Sequence, residues 1–229
     1  GVGDPITTGI NVSAADSSVI NNNQVSGMKV SANTGSDGPT ITGIICDGAF
    51  TTNYAEIKNN TVGSPANTNS IHNDCWTYST GAINGIVVNV VGFLKMENNI
   101  LVNFKNNSER DGSYTFGISI VKAAGGSTVI NNNIHDFTGS RTLKGMKNVG
   151  HPGVLGKTIV NNTIYNLQTT YTGTSITSLM GIDAKMQFVT GVQKTKQNFI
   201  HSLSTSNGNS MTIGIDIQNA VLGSEIQNN

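Results

Sequence analysis

The sequence predicts an all-β solenoid: short strands wound into a stack of similar coils. Three observations predict it. An Asn pair recurs after an apolar residue along the whole chain, a Gly-Ile pair recurs between successive Asn pairs, and the local apolar period around both is two residues rather than 3.6.

The Asn pairs are Asn22-Asn23, Asn59-Asn60, Asn98-Asn99, Asn131-Asn132, Asn161-Asn162 and Asn228-Asn229, with Gln197-Asn198 as a degraded copy. Their second members are spaced by 37, 39, 33, 30, 36 and 31 residues. The second marker is Gly9-Ile10, Gly43-Ile44, Gly85-Ile86, Gly117-Ile118, Gly181-Ile182 and Gly214-Ile215, with Gly145-Met146 filling the gap. The distance from Gly to the second Asn is always 14 to 17 residues, whereas the return to the next Gly runs from 13 to 25. One half of each repeat is therefore rigid and the other carries loops of free length. After each Gly the pattern is inward, outward, inward, as in Ile118-Ser119-Ile120. A second strand ends before each Asn pair with an inward Ile20, Ile57, Met96, Val129, Ile159, Thr195 or Ile226. A third begins after it with Val25, Val62, Leu101, Ile134, Ile164 or Ile200. Three short segments with one apolar face each close a core only when repeats stack.

Composition agrees. Of 229 residues, 36% are hydrophobic and 11% charged, while 27 are Gly and 31 Asn. β-branched enrichment and the density of Gly and Asn disfavour helix. Thirteen basic and thirteen acidic residues cancel, which leaves no electrostatic footprint for nucleic acid or an anionic membrane. No apolar run reaches the roughly 20 residues of a membrane-spanning helix. Two cysteines are too few for a disulfide scaffold or a four-Cys zinc site; Cys46 sits at an inward position and Cys75 in a long loop, as free thiols or as a bridged pair.

The run Ile159 to Leu167 followed by Gly181 to Ala184 resembles the repeats of right-handed parallel β-helices. Such repeats occur in pectate-lyase-like proteins and in large secreted repeat proteins of Bacteroidetes-type bacteria, and the resemblance covers all the coils. It implies a single domain over residues 1–229: a right-handed parallel β-helix of about seven coils of 28 to 42 residues, without end caps. It implies no activity, because that fold carries lyases, hydrolases, adhesins and phage spikes. The motifs of polygalacturonase-like relatives are not intact here. Gly150-His151-Pro152 is a fragment of one, and the two arginines, Arg110 and Arg141, lie in loops of adjacent coils.

The columns that such stacking creates are the places to look for chemistry. Asn tolerates the left-handed conformation at a sharp bend, and amides stacked about 4.8 Å apart form a hydrogen-bonded ladder. The expected ladder is Asn23, Asn60, Asn99, Asn132, Asn162, Asn198 and Asn229. Asn59-Asn60-Thr61 and Asn161-Asn162-Thr163 are formal glycosylation sequons, but a bend explains a column repeated in every coil. Glu56 should stack on Lys95, Lys58 on Glu97 and Lys194 on Glu225, with signs that fix the register. Asp183 and Asp216 share an outward column near Lys185; such a carboxylate pair suits calcium or acid–base work, or is an ion-pair cluster. His135, Tyr165 and His201 form a polar aromatic column suited to glycan contact. The loop from Gly63 to Ala82, with His72, Asp74, Trp76 and Tyr78, is the best local candidate for ligand contact, or a lid packed on the rod.

The opening residues Gly1-Val2-Gly3-Asp4-Pro5 match Thr61-Val62-Gly63-Ser64-Pro65 in phase, so residue 1 reads as the continuation of residue 229. The expectation is an extracellular or cell-surface structural protein, a unit of a filament or adhesin stalk. Its coils stack head to tail with copies of itself or with neighbouring repeats. The alternative is a β-helix that binds or cleaves polysaccharide. The chain reads as a non-enzyme with no cofactor, calcium being the one ion considered.

Overall fold

A computed structural model describes residues 6–13, 16–32, 37–48, 54–75, 80–123, 125–139, 141–149, 156–185, 191–218 and 222–229. Among them there is no helix, and all strand pairings are parallel. The chain forms a parallel β-solenoid of about six turns with three walls.

The first wall stacks seven strands: Ile6–Ser13, Asp37–Gly48, Thr80–Val90, Tyr114–Ala123, Thr142–Val149, Ser178–Lys185 and Met211–Gln218. The second also stacks seven: Ser17–Asn21, Tyr54–Lys58, Phe93–Glu97, Ser127–Ile130, Lys157–Val160, Gln193–Lys196 and Glu225–Gln227. The third runs through Gln24–Val25, Thr61–Val62, Ile100–Asn106, Asn133–Gly139, Thr163–Thr169 and Phe199–Thr205, with Met28–Ala32 and Ile71–Cys75 pairing beside it. The expected seven coils are thus seven strands in two walls, closed into about six turns.

The register is the one read from the markers. Ile20, Ile57, Met96, Val129, Ile159, Thr195 and Ile226 are successive partners in the second wall. Val25, Val62, Leu101, Ile134, Ile164 and Ile200 are partners in the third. From Ile20 to Ile159 and from Val25 to Ile164 these columns, with the Ile44-to-Ile182 column of the first wall, make one continuous core. Inside it the Phe104 and Phe137 rings stack nearly parallel, 4.2 Å between centroids. The core thins at both ends: Ile10, Val12, Ile215 and Ile217 are only partly buried.

Each Asn pair divides two tasks. The first member takes the left-handed backbone, with φ between 52° and 59° from Asn22 to Asn228, Gln197 included. The second member turns inward and forms the ladder. Asn23, Asn60, Asn99, Asn132, Asn162 and Asn198 each donate an amide N–H to the Oδ1 of the next Asn, at 2.9–3.0 Å. Each also donates its backbone N–H to the same oxygen. From Asn60 onward, the other amide hydrogen satisfies a carbonyl of the preceding coil, as in Asn99 Nδ2 to Ile57 O at 2.9 Å. Buried backbone groups at a bend are costly unless paired, and this one side chain pairs them in every coil.

Two local expectations are corrected. The segment after Gly63 is not one loop to Ala82, because Ile71–Cys75 is a strand of the third wall. Its alternating burial places Ile71, Asn73 and Cys75 inward and His72 and Asp74 outward. Cys75 is therefore buried in a strand rather than placed in a loop, and both cysteines are free thiols. Trp76, Tyr78, Val2 and Gly150-His151-Pro152 lie outside the described residues.

The opposite-charge columns have the expected register, Glu56 against Lys95, Lys58 against Glu97 and Lys194 against Glu225. One expected pair forms, Lys58 with Glu97 at 3.8 Å, and Lys58 also lies 3.0 Å from Glu56 in its own strand. The other two expected pairs are replaced. Lys95 reaches Glu97 at 3.2 Å, and Lys196 rather than Lys194 pairs with Glu225. Residues two apart on one strand share a face, so a long lysine reaches along the strand as readily as across it. Tyr54, which donates to Glu56 at 2.8 Å, and then Lys58 hold the Glu56 carboxyl below its usual range.

Candidate functional site

Two outer surfaces gather chemistry. The first follows from the Gly-Ile pairs. A Cβ on Gly117 would lie 2.5 Å from the Gly145 carbonyl oxygen and 2.9 Å from Ile134, and one on Gly181 would lie 2.6 Å from the Gly214 oxygen. Each Gly therefore faces the core, and so does the Ile after it. Two successive inward positions break the alternation, and the outward residues before Gly and three places on come together across coils. Lys147 of one coil lies over the Phe116 ring of the previous coil, 4.9 Å from its centroid. Lys144 pairs with Asp183 of the next coil.

Asp183 is 1% exposed, and its second oxygen, Oδ1, has no hydrogen-bond partner among the described residues. Asp183 and Asp216 are register partners as expected, but Asp216 accepts from Gln218 Nε2 at 2.8 Å. Lys144 occupies the place beside Asp183 that a cation would take. Among the described residues no group of three His, Cys, Asp or Glu side chains is arranged to hold a metal ion. Arg141, the arginine nearest in sequence, pairs with Asp111 and lies over Tyr171 at 4.8 Å. Burial, then the neighbouring Lys144 ammonium, pushes the Lys147 amine below its usual range.

Behind this wall, the inward column of the second wall turns polar. Lys157 is 2% exposed and donates to the carbonyls of Asn148 at 2.9 Å and Lys185 at 3.1 Å. Burial lowers its pKa to about 7, against an opposing pull from Asp183. Asn148 Oδ1 and Gln193 Oε1, both buried, find no partner among the described residues.

The second surface is the outer face of the third wall. His135, Tyr165 and His201 are register partners, and their rings stack at 4.6 and 5.1 Å within 5° of parallel. The column expected from sequence is therefore a continuous stack. Within the stack the facing ring surfaces cover one another, and beside it lie Asp136, Asn166 and Ser202, each the residue after a ring. Those three and Asn103 carry φ of 53° to 60° and make a second corner that the sequence reading missed. Its signal was present: each lies four residues after a ladder Asn, and Asn and Asp are the side chains best suited to that conformation. Asp136 accepts from Asn166 at 2.9 Å and pairs with His135 at 2.7 Å. Pro65, Thr68 and Asn69 overhang this row and enclose an open groove of about 520 Å³ lined by Asn103, Asp136 and Asn166. Asn103 holds the overhang by donating to Ser64 O at 2.7 Å.

His72 and Asp74 lie further along the same wall. Asp74 pairs with Lys29 at 3.1 Å and accepts from Asn107 at 3.0 Å, and both lower its pKa. His72 is the register partner of Lys29 and Lys105, and burial, with those cations adding, lowers its pKa. This outer row is already paired within the wall.

In comparisons with known proteins, no family model, no curated protein and no solved structure matches the chain.

Proposed function

We propose that the chain is a section of a rigid extracellular rod, a structural stalk or filament unit that lengthens by stacking coil on coil. The polarity of the Asn ladder carries this reading. Every rung donates from one coil to the Oδ1 of the next. The same rung, with the same donor and the same acceptor, joins each coil to the next from Asn23 to Asn229, so any further coil carrying this Asn would join in the same way. The partly buried Ile10 and Val12 at one end, and Ile215 and Ile217 at the other, extend the same complementarity to the core. Contacts of this head-to-tail kind that do not close into a ring produce filaments.

Sedimentation of the purified chain over a wide concentration range, with electron microscopy of the same samples, tests the reading. Linear assemblies are expected for the wild type, and none for Ile226→Lys, a side chain already 53% exposed and therefore not needed for the fold. A chain that remains monomeric at millimolar concentration overturns end-on assembly.

The third-wall groove favours a second reading, polysaccharide binding through hydrogen bonds to Asp136 and Asn166. Calorimetry against neutral polysaccharides would show binding that weakens in Asn166→Ala, and a search for new reducing ends would separate binding from cleavage.

A further inference from the structure

The third-wall groove carries a charge that its surroundings do not cancel. We infer that its ligand is a linear glycan with free amino groups, lying along the rod axis with an ammonium on Asp136; the inference rests on the polysaccharide-binding reading of the same groove. The shape comes first. Asn103, Asp136 and Asn166 occupy the same place in successive coils, which stacking sets about 4.8 Å apart. Beyond them a further hollow of about 300 Å³ shares Asn166 and continues to Ser202 and Ser204. Pro65 and Thr68 bound the groove on its other side. A polymer lying along the rod therefore meets one polar side chain per coil.

The lining decides the kind of polymer. Asn133–Gly139 and Thr163–Thr169, the strands behind the groove, are paired on both sides, so the groove offers no sheet edge to a peptide strand. Its amides and hydroxyls suit the hydroxyls of a sugar. Such bonds replace bonds to water at small net gain, and among the described residues no aromatic ring lines the groove to add stacking. Charge therefore discriminates between glycans. Asp136 is the one ionisable side chain in the lining among the described residues. It accepts from Asn166 at 2.9 Å, and its other oxygen lies 2.7 Å from His135 Nδ1. A carboxylate only accepts, so that nitrogen carries the hydrogen. Neither an amide nor a neutral imidazole cancels the charge. Lys105 stands between Thr138 and His72 in the register and does not line the groove. The Asp136 side chain is 39% exposed, and each of its oxygens keeps a lone pair for a further donor. A ligand ammonium would add a charge-assisted bond there, the stronger kind, whereas a uronate would meet like charge.

Calorimetry at pH 6.5 and low salt would compare a glucosamine hexamer with its N-acetylated form, with polygalacturonate and with a lysine hexamer. The glucosamine hexamer should bind several-fold tighter than the acetylated one. That advantage should shrink as salt is added and disappear in Asp136→Asn. The variant should fold, because Asn103 and Asn166 take the same left-handed backbone at the equivalent positions. Polygalacturonate should not bind. Equal binding of the two hexoses, an advantage that survives in Asp136→Asn, or binding of polygalacturonate overturns the inference and leaves the groove a polysaccharide site. No binding of any glycan overturns both. A lysine hexamer that binds as tightly as the glucosamine hexamer overturns the assignment to a glycan.

Discussion

Lys157 should make this protein more stable as pH rises from 6 to 8.5. Its side chain is 2% exposed, and its amine has a pKa of about 7 where an unfolded chain has 10.5. That fall corresponds to about 5 kcal/mol of cost to the charged form, at about 1.4 kcal/mol per tenfold. Below pH 7 the folded and unfolded chains both carry the proton, and the cost is fully present. Between pH 7 and 10.5 the unfolded chain binds the proton and the folded chain does not, so stability rises with pH. From pH 6 to 8.5 the expected gain is about 2 kcal/mol. Higher pH is unsuitable, because burial raises the Cys46 and Cys75 thiols, and ionisation of thiols in the unfolded chain then lowers stability. Two N–H bonds of a neutral amine match the two carbonyl acceptors, Asn148 O and Lys185 O. The assay is urea unfolding followed by circular dichroism at both pH values, for the wild type and Lys157→Met. Met fills the volume without a charge, although it leaves two carbonyls unpaired at about 1–3 kcal/mol each. The wild-type midpoint should rise with pH and the Met variant should lose most of that dependence, keeping the part that the lowered pKa values of His72 and Lys147 give. A flat wild-type profile, or the same slope in both proteins, refutes the argument.

Three other perturbations test the framework. Asn99→Ala removes a fully buried side chain that donates to Ile57 O and Asn132 and accepts twice from Asn60; unfolding titrations should show a loss of about 3 kcal/mol or more. Gly117→Ala places a methyl 2.5 Å from the Gly145 carbonyl oxygen, and because backbone cannot move aside as a side-chain tip can, the chain should melt well below the wild type or fail to accumulate as folded protein. Both thiols should resist iodoacetamide in the native protein and react fully in guanidinium, since each is buried and free; one reactive thiol in the native state would show that its coil opens.

Much of the fold was legible because stacking repeats each constraint in every coil. The Gly before each Ile marks where a Cβ has no room, and the Asn pairs mark one position that needs a left-handed backbone and one that needs a bifunctional amide. A single copy of either would be a weak signal, but repeated through the chain they set the register. The second corner was missed because its four residues, Asn103, Asp136, Asn166 and Ser202, differ in identity although all take positive φ. The strand Ile71–Cys75 reads as loop from sequence because residues 63–70 are inserted before it, between Thr61–Val62 and the strand, and the insertion hides the alternation after it. The ion pairs show a different limit. Register fixes Cα neighbours, but a lysine with four methylenes reaches neighbours along the strand and across it. Lys157 was overlooked because its column, Leu94, Ser127, Lys157 and Gln193, is not apolar, and inward positions had been sought by hydrophobicity.

That polar inward column bears on what the rod is built to do. A solenoid held together only by apolar burial has little to stop one coil rotating against the next, since burial is non-directional. Here directional contacts run along the axis on three sides: the amide ladder inside the corner at the Asn pairs, the His135–Tyr165–His201 stack outside the third wall, and the ion pairs outside the second wall. The ladder does most to fix direction, because each Asn Oδ1 accepts from the coil before, while one amide hydrogen donates to the Oδ1 of the next coil and the other to a carbonyl of the coil before. A one-residue slip in any strand would turn its whole inward set to solvent and break the ladder rung beside it. A rod with this kind of axial specification would accept any further coil that presents the same Asn and the same Gly bend, and the proposed role in extension rests on that repetition.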